Sequence, residues 1–525
     1  MSRSRAPAPY LAVLAVVLLL RWPTLSNDIF SIDEVWHLTG VARLHSLQEF
    51  VYAFSYRAET KTQIGLLPSY LADALDPTNA ILLVRISGLL EALVGAWLLI
   101  AFTRRFFGSS KPGVIAALIW LVYLEIGPGY PLPASVLQES FQAIRLENTQ
   151  SPLILASLLA FAFGSGFAFV RPRPRWWPLA GAGVAWALSV LVQPSSVLVG
   201  PVYVSALAFV YRSDGAQWRR ILRAAMPFTA GAAVPIVLVF GPYLLSAGAL
   251  ADLRFNLVDV NTAYATHSWD LAWRIVILLL ALPPLLVLFW LAGVCLLFLR
   301  FPAHLTGPGR RILLLVTAVG PAVFIGYLPG HAHFHYMIPV VAPLALSAAS
   351  YWVFALESLV ATNHARLVRM STIAIAAVYV AAQLPAMAIF AASGSTGWYL
   401  ADDRARFDLD GLVRYIQANT APSARIWAYY YVPEVYVLSR RKPATSDPVG
   451  GALTLAWDEP WFGRTLAELE RERPELIIGI NNTHMARPQA GGLSDIPRVS
   501  AWIAANYSCD RASIRGVTLC TPSTS

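Results

Sequence analysis

The chain has 525 residues, of which 57% are hydrophobic and 13% are charged. A soluble protein carries about twice that charged fraction, so this composition and the mean hydropathy of +0.56 exclude an ordinary water-soluble enzyme. The formal net charge is +9, but the basic residues form short groups between apolar segments, which argues against a nucleic-acid partner.

Long apolar segments recur along most of the chain. Stretches of roughly 17–25 apolar residues have the length that crosses a ~30 Å hydrocarbon core. The sequence predicts eleven spans in a lipid bilayer, at about residues 8–25, 80–102, 113–127, 152–170, 177–192, 195–211, 226–246, 272–299, 312–328, 337–356 and 370–392. Only Gln193 and Pro194 separate the fifth span from the sixth, which predicts either a tight hairpin or one broken helix.

Basic residues are concentrated in alternate connections between these segments. Cytoplasmic connections are enriched in lysine and arginine, so the pattern predicts a cytoplasmic N-terminus and an external C-terminus. The predicted location is the cell (inner) membrane, with a multi-pass topology. The predicted external loops are residues 26–79, 128–150, 247–271 and 328–336.

The composition becomes polar after about residue 393. Leu409–Asn419 and Thr465–Arg473 have the pattern of helices, and Ala424–Tyr431 and Leu476–Ile480 have the pattern of strands. The predicted fold is therefore mainly α: a polytopic membrane helical bundle over residues 1–392, followed by a small extracytoplasmic α/β domain over residues 393–525. Cys509 and Cys520 both fall in this last region, where a disulfide is compatible with an external location and is left open.

Asp33 and Glu34 follow the first predicted span on its external side. Adjacent carboxylates at a membrane surface, in a chain poor in charge, favour a catalytic role. They also begin Asp33–Phe54, whose apolar residues recur at helical spacing and predict an amphipathic helix along the membrane interface. The alternative is that both carboxylates only cap that helix and interact with its positive N-terminal end.

Two further polar groups lie beside predicted spans. Glu59 and Lys61 form a polar run in the first external loop, where an ammonium group suits a lipid phosphate, although snorkelling explains a lysine there equally well. Hydrogen-bonding side chains that suit sugar hydroxyls stand directly before the fourth span: Arg145, Glu147, Asn148 and Gln150. The alternative is that Thr149 or Ser151 is the N-cap of a helix that has Pro152 at its first position.

Three alternate histidines, His331, His333 and His335, precede Tyr336. Such a set converges on one metal ion only from one face of a strand, and no carboxylate lies beside it. We therefore predict no metal site here, and a hydrogen bond from one histidine to a phosphate or an acceptor. A divalent cation is possible but not indicated. Asp408-Leu409-Asp410 has the Asp-x-Asp spacing of nucleotide-sugar enzymes, which act in the cytoplasm, whereas this triplet is predicted to be external.

Taken in order, these motifs resemble the GT-C membrane glycosyltransferases, in particular the bacterial branch related to protein O-mannosyltransferases and to the lipid A aminoarabinose transferase. The resemblance rests on Asp33-Glu34 after span one, the segment with Lys61, Arg85 at the start of span two, Glu147-Asn148-Thr149-Gln150 before span four, Ala180-Gly181-Ala182-Gly183 with Val192-Gln193-Pro194, His335-Tyr336-x-x-Pro339, and Ile426-Trp427 with Pro433-Glu434-Val435-Tyr436. Two departures are Lys61-Thr62-Gln63, where relatives have Lys-Pro-Pro, and Gln193, where they have lysine.

The resemblance implies a sugar donor linked to polyprenyl phosphate and used on the external face of the membrane. It implies that Asp33 is the catalytic acidic residue, with Glu34 as its neighbour, and that Lys61 lies near the donor phosphate. We therefore predict transfer of a hexose or pentose to an acceptor hydroxyl on a glycan, lipid or protein, with Asp33 as general base, inversion at the anomeric carbon and no required cofactor. The predicted donor-binding set is Glu59, Lys61, Arg85, Arg145, Glu147, Asn148, Gln150, His335 and Tyr336.

Other functions remain open at this point. A polytopic transporter or flippase of lipid-linked sugars would form no covalent product, and the scarcity of charge deep in the predicted spans disfavours proton coupling. An oligosaccharide polymerase or ligase would transfer whole glycans. A membrane scaffold with an external binding domain would leave the polar entrances to spans two and four unexplained.

Overall fold

The structure is a computed structural model. It describes residues 8–26, 32–41, 47–52, 62–126, 146–167, 174–211, 217–254, 257–258, 271–299, 307–329, 334–360, 408–429, 434–445, 459–480, 497–511, 514 and 516–523. For some residues within these ranges only the backbone is described, among them Asp33, Glu34, Glu147 and His335.

Helices dominate the described chain. In chain order they are α1 (Ala8–Ser26), α2 (Ile32–Val41), α3 (Leu47–Val51), α4 (Gln63–Leu75), α5 (Ala80–Phe107), α6 (Lys111–Ile126), α7 (Leu146–Gly164), α8 (Trp176–Val192), α9 (Val199–Tyr211), α10 (Gln217–Phe240), α11 (Ala247–Arg254), α12 (Leu271–Ala281), α13 (Pro284–Leu299), α14 (Gly307–Tyr327), α15 (Ile338–Val360), α16 (Leu409–Asn419), α17 (Glu434–Ser439), α18 (Glu459–Glu472) and α19 (Pro497–Asn506). Short 3₁₀ helices occupy Pro194–Leu198, Gly241–Leu245 and Phe334–Met337.

The chain forms two compact units. The first, here called the helical unit, comprises Met1–Asn27, Arg85–Phe240 and Trp269–Thr396. The second, here called the mixed unit, comprises Asp28–Val84, Gly241–Ser268 and Gly397–Ser525. The predicted domain boundary near residue 393 lies outside the described residues and stays a prediction.

The predicted apolar segments up to residue 356 each coincide with one or two helices, and the last, 370–392, lies outside the described residues. Within the described part of the chain, three helices are long and apolar enough to cross a membrane: Ala80–Phe107, Trp218–Leu245 and Gly309–Tyr327. The pair Leu271–Ala281 and Pro284–Cys295, bent by 97°, makes a fourth if it is one broken span. The count of eleven spans is not confirmed, because several of the other apolar helices are shorter than a full crossing.

The core of the helical unit lies around α15, which packs against α6, α7, α13 and α14. Large aromatic side chains fill it: Trp120, Tyr123, Phe161 and Tyr203 are fully buried, and the Phe161 and Tyr203 rings stack with centroids 4.1 Å apart. Because lipid tails are as apolar as the helices, such packing and internal hydrogen bonds hold a membrane bundle together.

Helix α8 packs against both α7 and α10. A Cβ atom on Gly183 would collide with the backbone carbonyl oxygen of Phe228, and one on Gly231 would collide with that of Ala180. The two glycines therefore allow the backbones of α8 and α10 to come into direct contact. The small residues of Ala180-Gly181-Ala182-Gly183 thus serve a helix crossing.

The mixed unit contains a five-stranded sheet with strands β1 (Arg425–Tyr429), β2 (Lys442–Pro443), β3 (Leu476–Ile480), β4 (Tyr507–Arg511) and β5 (Val517–Pro522). Their spatial order is β2-β1-β3-β5-β4, and β1 is parallel to β2 and β3, whereas β5 is antiparallel to β3 and β4. A disulfide joins the paired residues Cys509 and Cys520 on β4 and β5. The prediction of a small C-terminal α/β fold is confirmed.

The individual tail elements also match their predictions. α16 and β3 have the predicted bounds, and β1 lies within predicted strand 424–431. α18 extends the predicted helix at its N-terminal end, from Thr465 back to Glu459. Asp408 is the N-cap of α16, where its carboxylate accepts a hydrogen bond from Gly411 N at 2.8 Å. The Asp-x-Asp triplet therefore begins a helix.

The segment of residues 26–79, predicted to be the first external loop, contributes α2, α3 and α4 to the mixed unit. Val41, Phe50 and Leu66, one from each helix, form a small buried cluster, and the Phe50 and Tyr70 rings stack at 4.2 Å. The predicted amphipathic helix Asp33–Phe54 is wrong at its far end, because α3 ends at Val51. The exposed apolar stripe lies on α4 instead, where Leu67, Leu71 and Leu75 recur at every fourth position.

Candidate functional site

Asp33 and Glu34 lie in the first turn of α2, which begins at Ile32. A helix N-terminus favours negative charge by about 0.3–1 kcal/mol at an exposed position. The electrostatic part of the capping alternative is therefore compatible with the structure, whereas Asp33 is inside the helix and is not its N-cap. The catalytic role of both carboxylates stays a prediction, because their side chains lie outside the described residues.

Helix α2 is enclosed by other parts of the mixed unit. It packs against α4 and α17, and its C-terminal half is buried, with His37 6%, Thr39 0% and Val41 0% exposed. Histidine is only intermediate in its tendency to be buried. His37 lies one helical turn after Asp33, a spacing that places two residues on neighbouring parts of one helix face. The sequence pattern did not single out His37, although its position four residues after Asp33 is visible in the sequence.

The segment directly after Lys61 is buried within the mixed unit. Thr62 and Gln63 are buried at the start of α4, and Gln63 Nε2 donates a hydrogen bond to Val51 O at 2.7 Å. Glu59 and Lys61 themselves lie outside the described residues. Their donor-binding role stays a prediction, and the helix that follows them is fixed to α3.

Asp73 and Asp76, at the C-terminal end of α4, have shifted pKa values. Burial raises the pKa of Asp73 on α4 above its ordinary value, and the positive charge of Lys442 on β2 opposes that rise. The hydrogen bond from the Asn79 side chain holds the pKa of Asp76 below its usual range. The charge on β2 thus acts electrostatically on α4.

Gln150 is the centre of a polar cluster in the helical unit, formed with Ser189, Gln193, Ser195 and Tyr327. Gln150 is fully buried. Its Nε2 donates to Gln193 O at 2.8 Å and to Ser195 Oγ at 3.1 Å, and its Oε1 accepts from Tyr327 Oη at 2.8 Å. The side chain therefore fixes the point at which α8 ends and the 3₁₀ helix Pro194–Leu198 begins.

The chain breaks at this point because Pro194 cannot donate a backbone hydrogen bond. Irregular backbone within a bundle requires side chains that satisfy the freed groups, and Gln150 does so for the Gln193 carbonyl. Gly326 on α14 lies directly against the same segment, since a Cβ there would collide with Ser195 O. The backbone therefore breaks after α8, and α7 and α14 contact the break. The alternatives of a hairpin and a broken helix both stay predictions.

Tyr336 lies beside this cluster. Its ring is half-buried and stacks on Tyr327 with centroids 4.8 Å apart. The structure therefore brings the predicted residues Gln150 and Tyr336 together through Tyr327, which the sequence reasoning did not single out. His335 belongs to the 3₁₀ helix Phe334–Met337 with Tyr336, and its side chain lies outside the described residues.

Thr149 has a different role from the predicted helix cap. Helix α7 begins at Leu146, so Thr149, Ser151 and Pro152 lie inside it and the cap prediction is wrong. Thr149 Oγ1 instead donates to Glu91 Oε1 on α5 at 2.9 Å. Glu91 lies in the middle of a helix long enough to span a membrane, which contradicts the expectation that the spans lack internal charge.

The other predicted residues are distributed as follows. Arg85, near the start of α5, and Asn148, in the first turn of α7, are buried, at 3% and 1% exposed. Glu147 lies in the same first turn, with its side chain outside the described residues, as is all of Arg145. Arg85 and Asn148 thus place a buried guanidinium and a buried amide near the starts of α5 and α7.

Among the residues whose side chains the structure describes, no group of three or more histidine, cysteine or acidic side chains could hold a metal ion. His331 and His333 lie outside the described residues. The metal alternative for the three histidines therefore stays untested.

The sequence matches no protein-family profile and no curated protein. Solved structures do match. ArnT from Cupriavidus metallidurans bound to undecaprenyl phosphate aligns with a TM-score of 0.58 and 16% identity over 99% of both chains. Its apo state aligns with a TM-score of 0.57 and 15% identity over 98% of both chains. The archaeal oligosaccharyltransferase AglB from Archaeoglobus fulgidus, in complex with an inhibitory peptide and a dolichol-phosphate, aligns with a TM-score of 0.44 and 14% identity. The alignment covers 89% of this chain and 69% of AglB, and its TM-score is too low to support an argument.

The chain therefore has the fold of ArnT. The similarity extends along nearly the whole length of both chains. The resemblance drawn from the ordered sequence motifs is confirmed at the level of the fold.

Proposed function

We propose that this protein is an integral membrane glycosyltransferase that moves a sugar from a polyprenyl-phosphate donor to an acceptor hydroxyl at the extracytoplasmic face. The observation that carries the proposal is the full-length fold similarity to ArnT, whose structure was solved with undecaprenyl phosphate bound. The apolar helices that can cross a bilayer agree with a substrate whose lipid tail stays in the membrane.

Asp33 is the proposed general base. It takes the proton of the acceptor hydroxyl while that oxygen attacks the anomeric carbon, and the bond from this carbon to the phosphate oxygen breaks. A positioned base of this kind typically contributes about 10²–10⁴-fold. Because the displacement occurs in one step, the configuration at the anomeric carbon inverts. The position of Asp33 in the first turn of a packed helix supports the role, because that backbone is held in place.

The departing polyprenyl phosphate carries the negative charge that develops in the reaction. Fixed positive groups that face such charge often supply the largest single catalytic contribution. Lys61 is the proposed principal partner of the phosphate, with Arg85, Arg145 and His335 as further candidates. Glu59, Glu147, Asn148 and Tyr336 are the proposed sugar-binding set. Gln150 was predicted to belong to this set, but its buried amide already bonds Gln193, Ser195 and Tyr327, so it supports the set by holding Tyr327 against Tyr336. Buried Arg85 supports this arrangement, since a cation shielded from water acts more strongly.

The proposed topology places the N-terminus in the cytoplasm and the first loop and the tail outside it, in the inner membrane of a cell. The alternation of basic residues supports this orientation. The disulfide between Cys509 and Cys520 supports it independently, because disulfides persist in oxidising compartments.

The test uses membranes that contain the full-length protein and a panel of radiolabelled undecaprenyl-phosphate sugars. We expect one donor to be consumed and its label to appear in a covalent product. Asp33→Asn keeps the size of the side chain and removes its basicity, so transfer should fall by about 10²–10⁴-fold. Asp410→Asn is the matched control, because Asp410 is an exposed acid in the first turn of α16 and should retain wild-type transfer.

Three results would reject the proposal. Wild-type transfer by Asp33→Asn would remove the base. Movement of the labelled lipid across the membrane without any covalent product would identify a transporter or flippase. Transfer of an entire labelled oligosaccharide, but of no single sugar, would instead identify a polymerase or ligase.

A further inference from the structure

Helix α17 of the tail lies against the helix that carries Asp33. α17 packs against α2, and both belong to the mixed unit. The first three residues of α17 are buried, with Glu434 4%, Val435 0% and Tyr436 2% exposed. A glutamate is almost never this buried unless it is paired, because taking a carboxylate out of water is costly.

Helix α17 is fixed to the sheet and to its neighbours. Tyr436 Oη accepts a hydrogen bond from Ala428 N on β1 at 2.7 Å. Beyond the end of α17, Arg441 Nη1 donates to Ser439 O at 2.9 Å, and Arg441 Nη2 donates to Thr420 O at 2.8 Å. These contacts tie both ends of α17 to the α/β core, so that the short helix forms a rigid support.

The partner helix is also polar where it is buried. His37 and Thr39 lie in the buried C-terminal half of α2, a helix that packs against α4 and α17. The packed helices α2 and α17 therefore bury an imidazole, a hydroxyl and a carboxylate, whereas apolar side chains would be cheaper to bury. Polar groups in such a place fix one relative position of the helices, since displaced polar groups lose their partners.

We propose that Glu434 is a positioning residue, which holds α2 on the rigid support of α17 and thereby sets the place of Asp33. The claim about catalysis rests on the proposed function, whereas the claim about the position of α2 does not. On this proposal the tail domain completes the site by fixing the backbone of the first external loop.

The first test measures hydrogen exchange of the full-length protein in detergent by mass spectrometry. We expect Glu434→Ala to speed exchange of the amides of residues 36–41 about tenfold or more, because local opening of α2 becomes easier. The amides of α16 should exchange at the wild-type rate. Glu470→Ala is the matched control, because Glu470 is an exposed glutamate on α18 and should leave both helices unchanged.

Unchanged exchange in α2 would overturn the proposal, and so would equal acceleration of α2 and α16, which would indicate general loss of stability. If Glu434→Ala does not accumulate in membranes, Glu434→Gln keeps the side-chain volume and serves the same test. It should accelerate α2 exchange selectively and by a smaller factor.

The second test is kinetic and uses the undecaprenyl-phosphate sugar that wild-type membranes consume. A misplaced base should lower kcat of Glu434→Ala by about ten- to a hundredfold and leave the KM for the donor unchanged, since the donor phosphate contacts other residues. A raised KM with normal kcat would overturn the positioning role. Full activity of Asp33→Asn would reject the proposed base while leaving the exchange result valid, so the two failures can be told apart.

Discussion

Gln150 shows how a single buried side chain can hold three helices together. Its amide links α7 to the end of α8 and to Tyr327 at the end of α14. A buried hydrogen bond contributes about 1 kcal/mol, but a partner left unsatisfied costs about 1–3 kcal/mol. The contribution of Gln150 to stability therefore comes mainly from the buried polar groups that would be unsatisfied without it.

We predict that Gln150→Leu destabilises the protein by about 1–3 kcal/mol, because the Gln193 carbonyl and the Tyr327 hydroxyl lose their partner. Tyr327→Phe alone should also cost about 1–3 kcal/mol, since it leaves the buried Oε1 of Gln150 without this partner. The double variant should cost less than the sum, because both changes affect the same bond. Unfolding of the purified protein in detergent measures all three. Strict additivity would contradict the coupling.

The sequence predicted Gln150 directly before the fourth span, whereas it lies inside α7, and it did not predict the partners of this side chain. Gln193 and Tyr327 are far from it in the chain, and no local spacing reveals a contact that the tertiary fold creates. Thr149 illustrates the same limit, since its partner Glu91 comes from another helix. Glu91 itself was visible in the sequence as a lone carboxylate within an apolar segment, which is a functional signal in its own right.

Two breaks in the bundle, after α8 and between α12 and α13, lie at prolines, and side chains close them, although prolines such as Pro235 and Pro321 lie inside unbroken helices. Tyr123 Oη donates to Ala281 O at 2.8 Å, next to the bend between α12 and α13, as Gln150 does after α8. Apolar runs predicted where the helices lie, because hydrophobic length is a local property. They did not predict the bends or the true start of α7, because these depend on the side chains that neighbouring helices supply.

The crossing of α8 and α10 gives a test at the scale of elements. Gly183→Ala places a methyl group against Phe228 O, so the helices must separate, and we expect a loss of about 1–3 kcal/mol in stability. Gly181→Ala is a matched control two residues away, where a Cβ has open space. It should be neutral or slightly stabilising, because alanine favours helix more than glycine does. Thermal unfolding in detergent measures both, and equal loss in the two variants would contradict the close crossing.

At the scale of the whole molecule, the tail was the easier part to predict. The hydrophobic residues of the tail recur first with helical and then with strand periodicity along the chain, and two of its elements have the predicted bounds. The grouping of the loop helices with the tail was not predictable, because it arises from packing between segments hundreds of residues apart. The pairing of Cys509 with Cys520 was open in the sequence, and cross-strand register now brings the two residues together.

This disulfide tests the proposed orientation of the chain. We expect native membranes treated first with N-ethylmaleimide and then reduced, denatured and exposed to a maleimide-polyethylene glycol to show two more labels than membranes denatured without reduction. Cys295, the one remaining cysteine of the sequence, is free and contributes equally with and without reduction, so the difference counts only the disulfide. Cys509→Ser should remove the reduction-dependent labels, leaving Cys520 free to react at the start. Since the bond closes a short loop, its loss should also destabilise the tail by about 2–4 kcal/mol. Equal labelling with and without reduction would show that Cys509 and Cys520 are thiols in native membranes, which would place the tail in a reducing compartment and contradict the proposed topology.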